Sequence, residues 1–200
     1  MTGYEIISLF KALFSKDVAA TNQPVSSFII LKNVNTYRND RLRQMNVSIK
    51  HLYNSCLQSF YCRRAGYLET EGLRGVFPVP KVFYDAFGRP LVNIYVNGCA
   101  YRFVGDKGSA YKYFGTKYSK IADKVFYYDS GDNSIILNNG NAEVIEVVGV
   151  FEDPISVPGF SLYDEYPCPV EYITTLRDWA VKYKKPVPPE EVGRTDPQAS

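Results

Sequence analysis

Apolar residues recur along this chain at two kinds of spacing, helical at its ends and alternating in its middle. At the front, Ile6, Ile7, Leu9, Phe10, Leu13 and Phe14 repeat at three- and four-residue steps, which predicts an amphipathic helix over residues 2–15. Thr2 and Glu5 have the spacing of a capping box at its start. Such a helix, about four turns long, is too short to stand alone and must dock on its own domain or on a neighbour. Residues 16–25 read as a linker, and the apolar run 28–31 as a brief strand.

A longer helical pattern covers residues 37–64, where Leu42, Met45, Ile49, Leu52, Tyr53, Cys56, Leu57 and Phe60 form one stripe. Arg63 and Arg64 suit the negative end of that helix, and Gly66 is a natural stop. Between residues 75 and 153 the pattern changes to strands. Segments 76–84 and 90–96 flank a five-residue turn at 85–89. Segments 91–96 and 99–104 flank Asn97-Gly98, and segments 134–137 and 142–151 flank Asn139-Gly140. Asn-Gly is the strongest short hairpin signal, because both turn positions need positive φ. The expectation is a compact antiparallel sheet or small barrel of about five to seven strands.

Helical spacing returns near the end. Val170, Ile173, Leu176, Trp179, Ala180 and Tyr183 make a stripe over residues 169–185, with Pro169 at its start and Pro186 beyond its last turn. Residues 186–200, with Pro188 and Pro189, read as an extended tail. The fold class is therefore α+β: an antiparallel β-sheet or small barrel packed with one long amphipathic helix and a C-terminal helix. A helical arm and linker (1–24) precedes the single core domain (25–185), and the tail (186–200) follows it.

Composition adds aromatic weight. There are 17 Tyr and 12 Phe against 1 Trp and 2 Met. Tyrosine combines an apolar body with a polar tip and suits both β-surfaces and protein contacts. A net charge of +2 lacks the basic footprint of a nucleic-acid-binding domain. Cys56, Cys62, Cys99 and Cys168 are scattered with no C-x-x-C pair, which points to buried free thiols rather than disulfides or a zinc site. The start of the chain makes a poor signal peptide, with Glu5 near its front and Lys11 inside the apolar stretch. No run of 18 apolar residues offers a membrane span.

Few chemical motifs survive inspection. Residues 105–128 interleave Lys107, Lys112, Lys117, Lys120 and Lys124 with Tyr111, Tyr113, Phe114 and Tyr118. Such a stretch can hold a nucleic-acid backbone, but a long, solvated hairpin arm is the simpler reading, since Asp106 and Asp123 dilute its charge. Gly105-Asp106-Lys107-Gly108-Ser109 lacks phosphate-loop spacing and reads as a turn. Asp129, Asp132 and Asn133 do not meet the calcium-loop pattern and read as a tight Asp/Gly turn. His51, the one histidine, has neither a nucleophile nor a second ligand at helical spacing. Glu143, Glu146, Glu152 and Asp153 read as outward positions of a strand and its turn. The expectation is a protein with no catalytic, cofactor or metal site.

One combination of elements is more specific. A long helix leads into antiparallel strands, and the last strand runs into Val147-Val148-Gly149-Val150-Phe151-Glu152-Asp153-Pro154. The spacer Tyr163-Asp164-Glu165-Tyr166-Pro167-Cys168-Pro169 then leads to a closing helix and a polar tail. This arrangement resembles virion structural proteins of short-tailed, crAss-like bacteriophages, in particular the ring proteins of the head–tail connector. The resemblance implies a non-enzymatic subunit of a closed ring of about twelve copies, lying between portal and tail with a channel for the genome. It implies synthesis in the host cytoplasm, residence at the head–tail junction of the virion, and non-specific contact with genomic DNA in the channel. The residues expected at its interfaces are Ile6, Ile7, Phe10 and Phe14, then Lys112, Tyr113, Lys117 and Tyr118, then Pro188 and Pro189. Two other readings are a small β-barrel module that binds glycan or peptide through exposed Tyr, and a hydrolase with an unrecognised carboxylate pair.

Overall fold

The computed structural model describes residues 1–18, 26–44, 54–68, 74–85, 87–105, 108–109, 124–138 and 141–183. Helices α1 (Gly3–Val18) and α2 (Ser27–Gln44) come first. Eight strands follow: β1 (Gln58–Arg63), β2 (Gly66–Leu68), β3 (Arg74–Pro78), β4 (Val92–Val96), β5 (Cys99–Phe103), β6 (Val125–Asp129), β7 (Ser134–Leu137) and β8 (Val144–Gly149). A single 3-10 turn (Pro154–Ser156) and helix α3 (Val170–Tyr183) complete the described elements.

The strands form one sheet in the order β1-β8-β4-β5-β6-β7-β3-β2. Its two outermost strands are consecutive in the chain, with only Arg64 and Ala65 between them. A flat sheet of this width would hold its edges about 33 Å apart. The link can reach about 10 Å. The sheet must therefore curl, and it forms a half-barrel whose edges are drawn together at this link. Arg64 N–H donates to the Glu143 carbonyl (2.9 Å) on the β8 side, and Ala65 N–H donates to the Val76 carbonyl (2.9 Å) in β3.

Period-two alternation fills the interior of the curl. Phe60 and Cys62 of β1 point inward while Ser59, Tyr61 and Arg63 point out. Phe77, Ile94, Phe126, Ile135, Leu137, Val147 and Phe151 belong to the same buried cluster. Strands β6 and β7 are apolar on both faces, and Val125, Tyr127 and Ile136 build a second small cluster with Val104. At the β4–β5 hairpin Asn97 and Gly98 have φ of 49° and 74°, as the Asn-Gly signal predicts. Gly149 serves another need, since a Cβ there would lie 2.8 Å from the Leu91 carbonyl oxygen.

Several expectations are corrected. The helix expected over 37–64 begins ten residues earlier, at Ser27, and is traced to Gln44; its expected C-terminal part contains strand β1. Pairing with β8, from Gln58↔Gly149 to Arg63↔Val144, overrides the helical spacing there. Residues 28–31, expected as a strand, lie in α2, and Gly66 opens β2 rather than ending a helix. The expected strand over 76–84 is shorter: β3 ends at Pro78, after which Val82 and Tyr84 make only isolated bridges, to Phe151 and Pro90. The sheet is mixed rather than antiparallel, because β5 and β6 run parallel. Asn139-Gly140 lies outside the described residues, and its flanking strands are not paired neighbours: β7 lies between β6 and β3, and β8 between β1 and β4.

The helices form a second core. Ile6, Ile7, Phe10 and Phe14 of α1 pack with Ile30, Leu31 and Val34 of α2 and with Ile173, Leu176 and Ala180 of α3. The capping box at the start of α1 is present: Thr2 N–H donates to Glu5 Oε2 (2.8 Å), and Glu5 N–H donates to Thr2 Oγ1 (3.2 Å). Helix α1, expected as an arm, thus has its apolar face covered within its own chain.

Arg38 fastens the helical core to the sheet. It is fully buried on α2, and its Nε donates to the Pro167 carbonyl (2.6 Å) just before α3. Its Nη1 donates to the Phe151 carbonyl (3.0 Å) just after β8 and to Asn39 Oδ1 (2.8 Å). Asn35 and Asn39 add amide bonds to the Glu152 carbonyl, at 2.7 and 2.8 Å. Replacing Arg38 with Met strands two buried carbonyls, and urea denaturation should show a loss of about 3 kcal/mol. Gly149→Ala should cost about 1–3 kcal/mol in the same assay, since the crowding atom is backbone and cannot turn aside.

Candidate interaction surface

The residues expected to bear function are distributed unevenly. Ile6, Ile7, Phe10 and Phe14 are buried in the helical core and offer no free apolar face. Lys112, Tyr113, Lys117 and Tyr118, together with Pro188, Pro189 and His51, lie outside the described residues. The Asp/Gly turn at 130–133 is a turn as expected: Asp129 Oδ1 accepts from Gly131 N–H (2.9 Å), and Asn133 has φ of 49°.

All four cysteines are free, with Cys56, Cys62 and Cys168 buried and Cys99 exposed on β5. Exposure of Cys99 departs from the expectation of buried thiols, as does the placing of Cys56 in a turn rather than on a helix. Burial raises the Cys62 thiol to about 11 and the Cys168 thiol to about 12. Cys56 is also raised by desolvation, against the opposing pull of the neighbouring Arg38 guanidinium. These three are protonated at neutral pH and poor nucleophiles. No group of three or more His, Cys, Asp or Glu among the described residues could hold a metal ion. None of the described helices is long and apolar enough to cross a membrane.

Glu152 has a role that the sequence did not disclose. Its carboxylate meets Lys81 Nζ at 3.0 Å and Arg43 Nη2 at 3.4 Å, and its carbonyl receives the two asparagine amides. Among the acids read as outward-facing, this one joins α2 to the turn after β8. Exposed pairs of this kind contribute at most about 1 kcal/mol each. The backbone bonds matter more.

What the surface offers is aromatic. Phe28 is 71% exposed, Tyr61 74%, Phe87 68% and Tyr163 76%, the most exposed of the large apolar side chains among the described residues. Two of them border grooves. One groove, of about 460 Å³, runs past Phe28, Lys32, Lys81, Glu152 and Ile155. The other, of about 510 Å³, follows the outer side of β1 past Tyr61, Pro158, Gly159, Asp164 and Glu165. Both are bordered by the connector 152–160, the first by its early residues and the second by its later ones. Sequence reasoning missed Phe28 because it opened an apolar run read as a strand, and Tyr61 because it fell within the expected helix over 37–64 but off its stripe.

No protein-family profile matches the chain, and no curated protein is detectably similar to it.

Two checks follow from the thiols. An alkylating reagent should label one cysteine, Cys99, rapidly in the native protein and the other three only on unfolding, as counted by mass spectrometry. For Cys62 and Cys168 the folded value lies above the ordinary 9.0, so their stabilising contribution is complete below about pH 9. It is lost as pH rises toward about 11 and about 12 respectively. Unfolding free energy should fall across that window, and Cys168→Ala should flatten the slope.

Proposed function

We propose that the chain is a non-enzymatic structural subunit of a phage head-to-tail connector, acting by shape and multivalent contact in an oligomeric ring between portal and tail. The observation that carries this reading is the pair of unlike grooves on either half of one connector, each with an aromatic held out in water. A cyclic ring needs two different, mutually complementary patches on every copy, whereas a two-fold dimer needs only one. Aromatic side chains are the usual anchors of such contacts.

The stretch that carries the resemblance supports the same reading. Residues 147–154 form the junction where the sheet hands over to the helices, with Gly149 crowded against Leu91, and with Phe151 and Glu152 gripped by α2. A junction fixed at this many points suits a ring subunit, which must hold its two contact surfaces at one angle if the ring is to close. Twelve copies, the channel and contact with DNA belong to the same proposal through the resemblance.

Imaging intact virions with a labelled copy of the chain tests this reading. The label is expected at the head–tail junction, and the purified chain is expected to form rings alone or with the portal. Absence from particles, with the chain monomeric in the presence of portal and tail components, would remove the proposal.

A further inference from the structure

We propose that a ridge formed by Phe28 and Lys32 on one copy of the chain seats in the groove beside β1 of the next copy; this rests on the ring reading and specifies its lateral contact. Phe28 and Lys32 stand one turn apart on α2 and share a helical face. Both are exposed, and Lys32 makes none of the ion pairs found among the described residues. The two stand on the α2 rim of the groove that also holds Glu152 and Asp153, and this rim is the ridge: an apolar body followed by a cation in none of those ion pairs.

The β1 groove presents the converse order. Tyr61 and Pro158 supply an apolar wall, and Asp164 and Glu165 supply negative charge beside it. The Asp164 carboxylate is held in place by the Ser161 N–H, which donates to its Oδ2 at 2.8 Å. Glu165 lies 3.9 Å from the Met1 amine, but its side chain is 86% exposed, a pairing too open to neutralise it. A volume of about 510 Å³ is ample for a phenyl ring.

Ridge and groove lie at different places on one chain, so the contact is heterologous. Each copy that receives a neighbour in its groove still offers its own ridge, and repetition builds a ring. The complementary charges also select the register, since a ridge meeting a ridge would oppose lysine with lysine.

Sedimentation velocity of the full chain over a concentration series reads this contact; where assembly requires the portal, incorporation into particles is the readout instead. Lys32→Glu alone, and Asp164→Lys with Glu165→Lys, should each weaken association about tenfold. All three together should restore it. Phe28→Ser should weaken it without any change of charge. Each position is on the surface, and circular dichroism should be unaltered. Association that none of these variants changes overturns the Phe28–Lys32 contact and leaves the ring reading standing. A chain that remains monomeric and never enters particles overturns both.

Discussion

Arg64 and Ala65 are all that separates two strands lying at opposite ends of an eight-strand order, and the geometry of the sheet follows from that short link. Curling the sheet creates an inside, and the inside selects which alternate residues are apolar. One link residue bonds toward β8 and the other toward β3, so each edge strand's pairing runs on into the link. Sheet edges otherwise expose unpaired backbone groups that recruit foreign strands. Cys62 strengthens the closure from within, its thiol donating to the Pro78 carbonyl at 3.0 Å.

The helices depend on this half-barrel through a few polar contacts and one shared apolar seam. Leu42 of α2 packs with Cys56, Phe83 and Val150, and Phe160 touches both the sheet core and the helical core. Across that seam Arg38 satisfies carbonyls from two distant segments, so α2 reads the ends of both β8 and the spacer before α3. A buried guanidinium held by carbonyls rather than a carboxylate gains little from charge pairing. Its value is geometric: few side chains could reach both oxygens from one position. The groove past Phe28 includes Asn35, Asn39 and Glu152 of this joint, so its shape is fixed by the same bonds that hold the two cores together.

The α+β class, the front and closing helices, the first Asn-Gly hairpin and the two Asp-based turns were legible in the sequence because each depends on neighbours within a few residues. Asp85 shows this plainly, its Oδ1 accepting from Phe87 and Arg89 N–H at 2.9 and 2.8 Å. The strand β1 was not legible, because Leu57 and Phe60 continue a helical stripe and only pairing with the distant β8 decides otherwise. Nor was the parallel β5–β6 step, which no local turn announces. The surface was the hardest part. Spacing reveals which residues could be buried, but Phe28 and Ile6 belong to the same residue class, and only packing shows that one is covered and the other is not.

Pairing β1 with β8 joins the two ends of the sheet region, and this has a consequence for the order of synthesis. On a ribosome, β1 emerges long before the strand that will cover it, and the half-barrel cannot close until β8 has left the exit tunnel. During that interval the segment Gln58–Arg63 is an aromatic, β-prone stretch with no native partner. Pairing over such long separations is slow to form. Arg63 and Arg64 at its end act as gatekeepers, placing positive charge where a stray chain would otherwise extend the strand. Arg63 at the end of β1 and Arg64 at the start of the link thus protect the nascent chain while the sheet is incomplete.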